Sequence, residues 1–316
     1  MQQWLAQAPA NIALIKYMGK DNPETNLPAN PSLSFTLDRL KSNVSLEACA
    51  GTADFWEPLE IPGIDHFELS HAAQQRFLNH LAFLKQTFNY NGGFIVRSNN
   101  TFPLGTGLAS SASSFAALTK CALLALSELT QQTAPNDEQA AILSRHGSGS
   151  SCRSFFAPWA LWEGEQVVAV DLPYPDLLHE VILVSHDAKA VSSSKAHELI
   201  TTSPHYASRP ERAKQNLDDL LVALRAKNWS NAYDICWHEF QDMHQLFTTC
   251  AQPFTYMTEE TLSLLDTIKD MWQRDNDGPI VTMDAGPNIH LLYRPDQVEL
   301  ARVFKQDVLI GNFDVL

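Results

Sequence analysis

Four short stretches hold residue types that do chemistry. In residues 101–118, TFPLGTGLASSASSFAAL, a proline and two glycines, Gly105 and Gly107, run straight into small and hydroxyl residues and then into an apolar helical pattern. A glycine-rich turn at a helix N-terminus presents unpaired backbone N–H groups at the positive end of the helix dipole, and that attracts phosphate. The same small residues suit a helix packed closely on a neighbour, and the stretch taken alone does not separate the two. No Lys-Ser/Thr pair follows the second glycine, so this is not a Walker A loop, and the spacing does not fit a dinucleotide fingerprint. In residues 147–154, GSGSSCRS, the glycines allow a tight turn, the serines offer donors, and Arg153 can grip a carboxylate or phosphate with two parallel bonds. A serine-rich linker would not continue into the aromatic run SFFAPWALWEG, which favours a buried anion site here.

The other two stretches are balanced differently. Asp284 ends an apolar strand, GPIVTMD, ahead of an Ala-Gly-Pro-Asn turn. A carboxylate there is either a cap for the turn, slightly the better reading from the residues alone, or a catalytic group, because burying it without a partner is costly. Lys16, Tyr17 and Lys20 fall at or just past the end of an apolar strand at 11–17. Such groups are normally solvated, and they bind anions only where the strand end opens into a cleft.

The elements that must position these groups alternate between strands and helices. Strands are expected at 11–17, 32–37, 42–46, 94–97, 167–170, 180–185, 278–284, 291–293 and 308–310. Helices are expected at 71–90, at 107–129, from Asn136 or Asp137 to Arg145, and almost throughout 210–274, with Pro253 as a break and Thr258 as a cap. The class is α+β, with a helix-rich second lobe. Residues 51–70 are the least readable. His238 and His244 lie six apart, which does not fit paired helical metal ligands, and nothing else clusters for a transition metal.

With 316 residues the chain has room for one large or two ordinary domains, and its net charge of −14 argues against nucleic acid or an anionic membrane as partner. Five scattered cysteines (Cys49, Cys121, Cys152, Cys236, Cys250) without a C-x-x-C read as free thiols of a reducing cytosol. No leader or membrane span is legible, so a cytoplasmic protein is expected.

Taken in order, residues 8–20 (APANIALIKYMGK), 103–118 (PLGTGLASSASSFAAL), 145–154 (RHGSGSSCRS) and 283–288 (MDAGPN) resemble the diphosphomevalonate decarboxylase family of the GHMP kinase superfamily. The similarity extends through 30–37, 202–209 and 243–257. It implies a ribosomal-protein-S5-like nucleotide-binding lobe at 1–185, a ferredoxin-like lobe at 186–316, and a homodimer. It also implies ATP and Mg2+ as cofactors. The reaction would be phosphorylation of the tertiary C3 hydroxyl of mevalonate 5-diphosphate, then loss of phosphate and CO2 to give isopentenyl diphosphate. By position, Asp284 would be the catalytic carboxylate and Arg153 would hold the substrate carboxylate with Ser148 and Ser150 beside it. Tyr17, Lys20 and Ser193 would contact the diphosphate. Ser98, Gly105, Gly107, Leu108, Ala109, Ser110 and Ser111 would serve the nucleotide, and no residue is assigned to the metal.

Some positions depart from that pattern. Met18 stands where a tryptophan is common, and Leu104-Gly105-Thr106 replaces Thr-Ala-Ala. Ser194 occupies a place that is basic in some members, with Lys195 as the substitute charge, and Ala196-His197 replaces Gly-Met. Near the adenine only Asp54-Phe55-Trp56 is recognisable. The rivals are a mevalonate 3-kinase or a phosphomevalonate decarboxylase on the same fold, and a binding protein without turnover.

Overall fold

The computed structural model describes residues 2–64, 68–102, 110–185 and 189–316. It is built on two long paired strands, β1 (Gln3–Ile15) and β4 (Ser32–Cys49). Between them β2 (Lys20–Asn22) and β3 (Leu27–Pro28) form a small hairpin. The pairing of β1 with β4 slips between Pro9 and Ala10, where residues 38–40 of β4 have no partner on β1. That irregularity is the break that separates the strands expected at 32–37 and 42–46; the chain runs through it as one strand. β6 (Gly93–Asn100) pairs with the second half of β4, and β7 (Trp159–Glu163) with the first. β5 (Phe55–Pro58) lies parallel to β6, and β8 (Gln166–Ala169) closes the other side against β7.

Three helices cover this sheet: α1 (His71–Thr87), α2 (Ser110–Thr130) and α3 (Asp137–Arg145). Ser70 caps α1, and Asn136 caps α3 with Gln139 returning the bond, so both helices begin where a short polar side chain can satisfy an orphan N–H. By length and composition α2 is apolar enough to cross a membrane, but 67% of its most apolar stretch is packed inside the protein. Phe77, Leu81, Phe94, Phe115, Leu118 and Trp162 are central to the core beneath it.

The second sheet runs β10-β11-β9-β12, from β9 (Leu178–Leu183), β10 (Ile280–Met283), β11 (Ile289–Tyr293) and β12 (Asp314–Val315). β9 falls inside the 1–185 unit expected from the sequence, yet it pairs with β11 and β12, so the sheets change between β8 and β9. The 167–170 strand, in turn, sits in the first sheet. Helices α4 (Ser193–Leu199), α5 (Arg209–Arg225), α6 (Trp229–Thr249), α7 (Glu259–Asp275) and α8 (Val298–Phe304) complete this half. Thr258 caps α7 as expected. β1 serves both cores: Trp4 and Ala8 pack under the first sheet, whereas Ala10, Ile12, Leu14 and Ile15 pack with α5, α6 and the second sheet.

Candidate active site

β1 ends at Ile15 where the two halves meet, and the next residues enter a cavity of about 460 Å³. It is lined by Tyr17, Lys20, Ser110, Ser111, Ser148 and Ser150, and by Arg153, Ser193 and Asp284. These expected residues come from five separate parts of the chain. Ser98 is placed elsewhere: it lies on β6, and its hydroxyl accepts the Trp56 indole N–H at 3.0 Å. Gly105, Gly107, Leu108 and Ala109 lie outside the described residues.

Asp284 follows β10, and its backbone carbonyl accepts from the Gly286 N–H at 2.8 Å and from His244 Nε2 at 3.1 Å. Its side chain, 26% exposed, meets the Lys16 ammonium at 2.8 Å through Oδ1, and no described residue donates to Oδ2. Burial works to raise this carboxyl, but Lys16, His290 and Lys189 outweigh it and hold the group below the usual carboxylate range. Asp284 is therefore ionised at neutral pH. The sequence left Lys16 as a strand-end cation; burial lowers its ammonium and Asp284 opposes that shift. The Lys16 N–H is anchored as well, donating to Glu239 Oε1 at 2.9 Å. Glu239 is fully buried against Arg209, and Arg209 also reaches Asp242 at 2.9 Å.

Arg153 sits in a 3₁₀ turn, Gly149–Phe155, with its Nε donating to Asn11 Oδ1 at 3.2 Å and its Nη1 to Ser32 Oγ at 2.8 Å. Asn11 is itself fixed by donating to Ser154 Oγ at 2.8 Å. With Trp162 under the guanidinium, these contacts leave Nη2 without a described acceptor. Position 149 has to be glycine because a Cβ there would stand 2.6 Å from the Tyr17 ring. Burial pushes the Tyr17 phenol up, which keeps it a neutral donor.

The small residues of 101–118 divide between the two tasks that the sequence left open. Ser111 faces the cavity and accepts from Ser148 Oγ at 3.3 Å, linking the two hydroxyl-rich stretches. Ser113 instead packs on β4, 2.7 Å from Ser42 Oγ. Lys195 is turned away: it pairs with Glu198 at 2.7 Å, exposed, and does not line the cavity. Among the described residues, the cations that line it are Lys16, Lys20, Arg76, Arg153 and Lys189, against one carboxylate, that of Asp284. A chain of net charge −14 thus concentrates positive charge at one place, as a polyanion site requires. Arg76 and Lys189 carried no sequence signal, one being an ordinary helix residue and the other a loop lysine.

Residues 8–169 match the diphosphomevalonate decarboxylase-like N-terminal domain, and residues 180–309 the mevalonate 5-diphosphate decarboxylase C-terminal domain. The chain belongs to the diphosphomevalonate decarboxylase family. The crystal structure of a family member, the mevalonate diphosphate decarboxylase of Legionella pneumophila, is 60% identical, with a TM-score of 0.95 and all of both chains covered. The enzyme of Enterococcus faecalis, solved in work on mevalonate diphosphate mediated ATP binding, is 27% identical, with a TM-score of 0.84 over 99% of this chain and 95% of that one. The complex of MDDEF with MVAPP, AMPPCP and magnesium is 26% identical, with a TM-score of 0.87 over the same shares, 99% and 95%. The Saccharomyces cerevisiae diphosphomevalonate decarboxylase is 30% identical over 90% of this chain and 76% of its own length.

Several histidines near the cavity are buried and neutral. Burial pulls His80 down to about 3, assisted by His146, and brings His244 and His290 to about 4 against the pull of Asp284. Unfolded histidine titrates near 6.5, so between there and pH 4 the folded state binds fewer protons than the unfolded chain, and stability falls as pH falls. Each of the three is expected to remove about 1 kcal/mol between pH 6.5 and 5.5, the slope approaching about 1.4 kcal/mol per pH unit as the unfolded histidine becomes fully protonated. Urea midpoints at pH 7.5, 6.5 and 5.5 check this; equal midpoints would mean that the histidines are not buried in neutral form.

Proposed function

We propose that the chain catalyses the ATP-dependent decarboxylation of mevalonate 5-diphosphate to isopentenyl diphosphate, releasing ADP, phosphate and CO2. The observation that carries this reading is the meeting of an ionised Asp284, braced by Lys16, with Arg153 in one cation-rich cavity. The C3 hydroxyl would lie at Asp284 Oδ2, which orients it and receives its proton as the oxygen takes the phosphoryl group. Arg153 would hold the substrate carboxylate through Nη2, with Ser148 and Ser150 at its side. When phosphate leaves C3, positive charge grows there and the fixed Asp284 carboxylate stabilises it. The electrons of the bond to the carboxylate then form the new double bond as CO2 departs. Tyr17, Lys20 and Ser193 would take the diphosphate.

Ser110 and Ser111 line the cavity and would offer hydroxyl oxygens to Mg2+, a hard cation that takes most of its other ligands from phosphate and water. Among the described residues no group of three His, Cys, Asp or Glu offers an all-protein cage. Bound Mg2+ would supply charge neutralisation for the transferred phosphoryl group. We place the protein in the cytoplasm, as a homodimer.

Pure protein with ATP, Mg2+ and carboxyl-labelled mevalonate 5-diphosphate should release CO2 and ADP in equal amounts. ADP without CO2 would make it a 3-kinase, and preference for the monophosphate a different decarboxylase. Arg153→Ala is expected to lower kcat/KM by about 10²-fold or more, since the carboxylate loses its orientation. Steady-state kinetics equal to wild type would take Arg153 out of that role.

A further inference from the structure

The corner at 16–20 meets the helix α4 at His197, whose ring lies 4.6 Å from that of Tyr17 and lines the cavity. α4 brings no cation to this end: Ser194 lines the cavity without charge, and Lys195 is held by Glu198 outside it. His197 Nδ1 accepts the Gly19 N–H at 3.0 Å, so in the neutral ring the proton is on Nε2. Gly19 presents that N–H from a left-handed conformation, φ +107°, where a Cβ would stand 2.8 Å from the Tyr206 hydroxyl. The arrangement therefore depends on glycine at position 19. Burial, with Lys20 close by, keeps the imidazole neutral by pulling it down to about 3. No described residue accepts from Nε2, and the ring is half-buried, so this N–H is available at the cavity wall.

We infer, on the diphosphate reading above, that His197 is a substrate-binding residue that determines specificity: its Nε2–H donates a hydrogen bond to the diphosphate beside Tyr17 and Lys20. A neutral donor at 197 thus does the work for which α4 supplies no charge. A fixed tautomer suits it to this, because the donor is already oriented before the anion arrives.

Two near-isosteric variants separate contact with phosphate from support of the backbone. His197→Asn keeps an acceptor within reach of Gly19 and loses the distal donor; His197→Gln carries an amide donor out to the Nε2 position and gives up the Gly19 acceptor. His197→Asn is expected to raise KM for mevalonate 5-diphosphate, and to weaken binding of inorganic pyrophosphate in calorimetry, each by about tenfold or more. kcat should change much less, and His197→Gln should recover most of both losses. Wild-type values for both variants would overturn the inference. Equal impairment of the two, or impairment of His197→Gln alone, would assign His197 to bracing Gly19 and overturn it as well. The pyrophosphate titration keeps the two ideas apart: a wild-type protein that releases no CO2 defeats the proposed reaction, whereas pyrophosphate binding unaffected by His197→Asn defeats this inference alone.

Discussion

Asp284→Ala is expected to abolish CO2 release, lowering kcat by about 10³-fold or more, while calorimetric ATP affinity stays near that of the wild type. The size follows from two tasks held by one group: the carboxylate receives the hydroxyl proton and later faces the positive charge at C3. Its geometry is set from three sides, by Lys16 at 2.8 Å on Oδ1 and by Gly286 and His244 on its own carbonyl. The alanine also strands the Lys16 ammonium, which is 2% exposed, so some loss of stability accompanies the loss of rate. Asp284→Asn separates the two effects. Its amide oxygen still accepts from Lys16, but it carries no charge and takes up no proton, so kcat should fall nearly as far with most of the stability kept. An asparagine variant with wild-type turnover would remove Asp284 from the chemistry.

The second large effect is on the fold. Glu239→Ala is expected to cost about 3–5 kcal/mol in urea unfolding, because it leaves a buried guanidinium without its main counter-charge. Glu239 and Arg209 are both fully buried, and the same carboxylate accepts from Asn216 at 2.7 Å and from the Lys16 N–H at 2.9 Å. Removing it therefore loosens α5 from α6 and frees the backbone that carries Lys16 to Asp284. Asp242, which also contacts Arg209, offsets part of the charge but is itself shared with Arg212 at 2.8 Å. A measured loss under about 1 kcal/mol would mean that Asp242 alone suffices for Arg209, since that is the range of an ordinary exposed pair.

Much of this is legible in the sequence. Periodicity placed α1, and polar caps placed α3 and the start of α7. Residues 210–274 read as helical with a break only at Pro253, and the turn at 226–228 that separates α5 from α6 carried no signal. The motif residues Tyr17, Lys20, Ser148, Arg153 and Asp284 all reach one cavity. What escaped depends on pairing and direction, which local pattern does not encode. β9 reads the same whichever sheet it joins, and its pairing with β11 and β12 assigns it to the second. Lys195 offered the right charge one residue from the right place, but on a helix that step turns a side chain by about a quarter of a turn, away from the cavity and towards Glu198. Arg76 is an isolated arginine in α1; its relevance comes from long-range packing that brings it over Phe115 and within 3.4 Å of the Gly147 carbonyl. Ser113 shows the reverse: a motif serine occupied with Ser42 of β4.

The course of β1 also bears on how far the two halves are interchangeable. Its first residues complete one core and Ala10, Ile12, Leu14 and Ile15 complete the other, so a single strand near the N-terminus belongs to the half encoded last. A chimera that exchanged only the C-terminal half with a relative's would set a foreign interior against these four side chains. Exchange of this chain's second half is thus constrained by residues 10–15, far in sequence from any boundary drawn between the sheets.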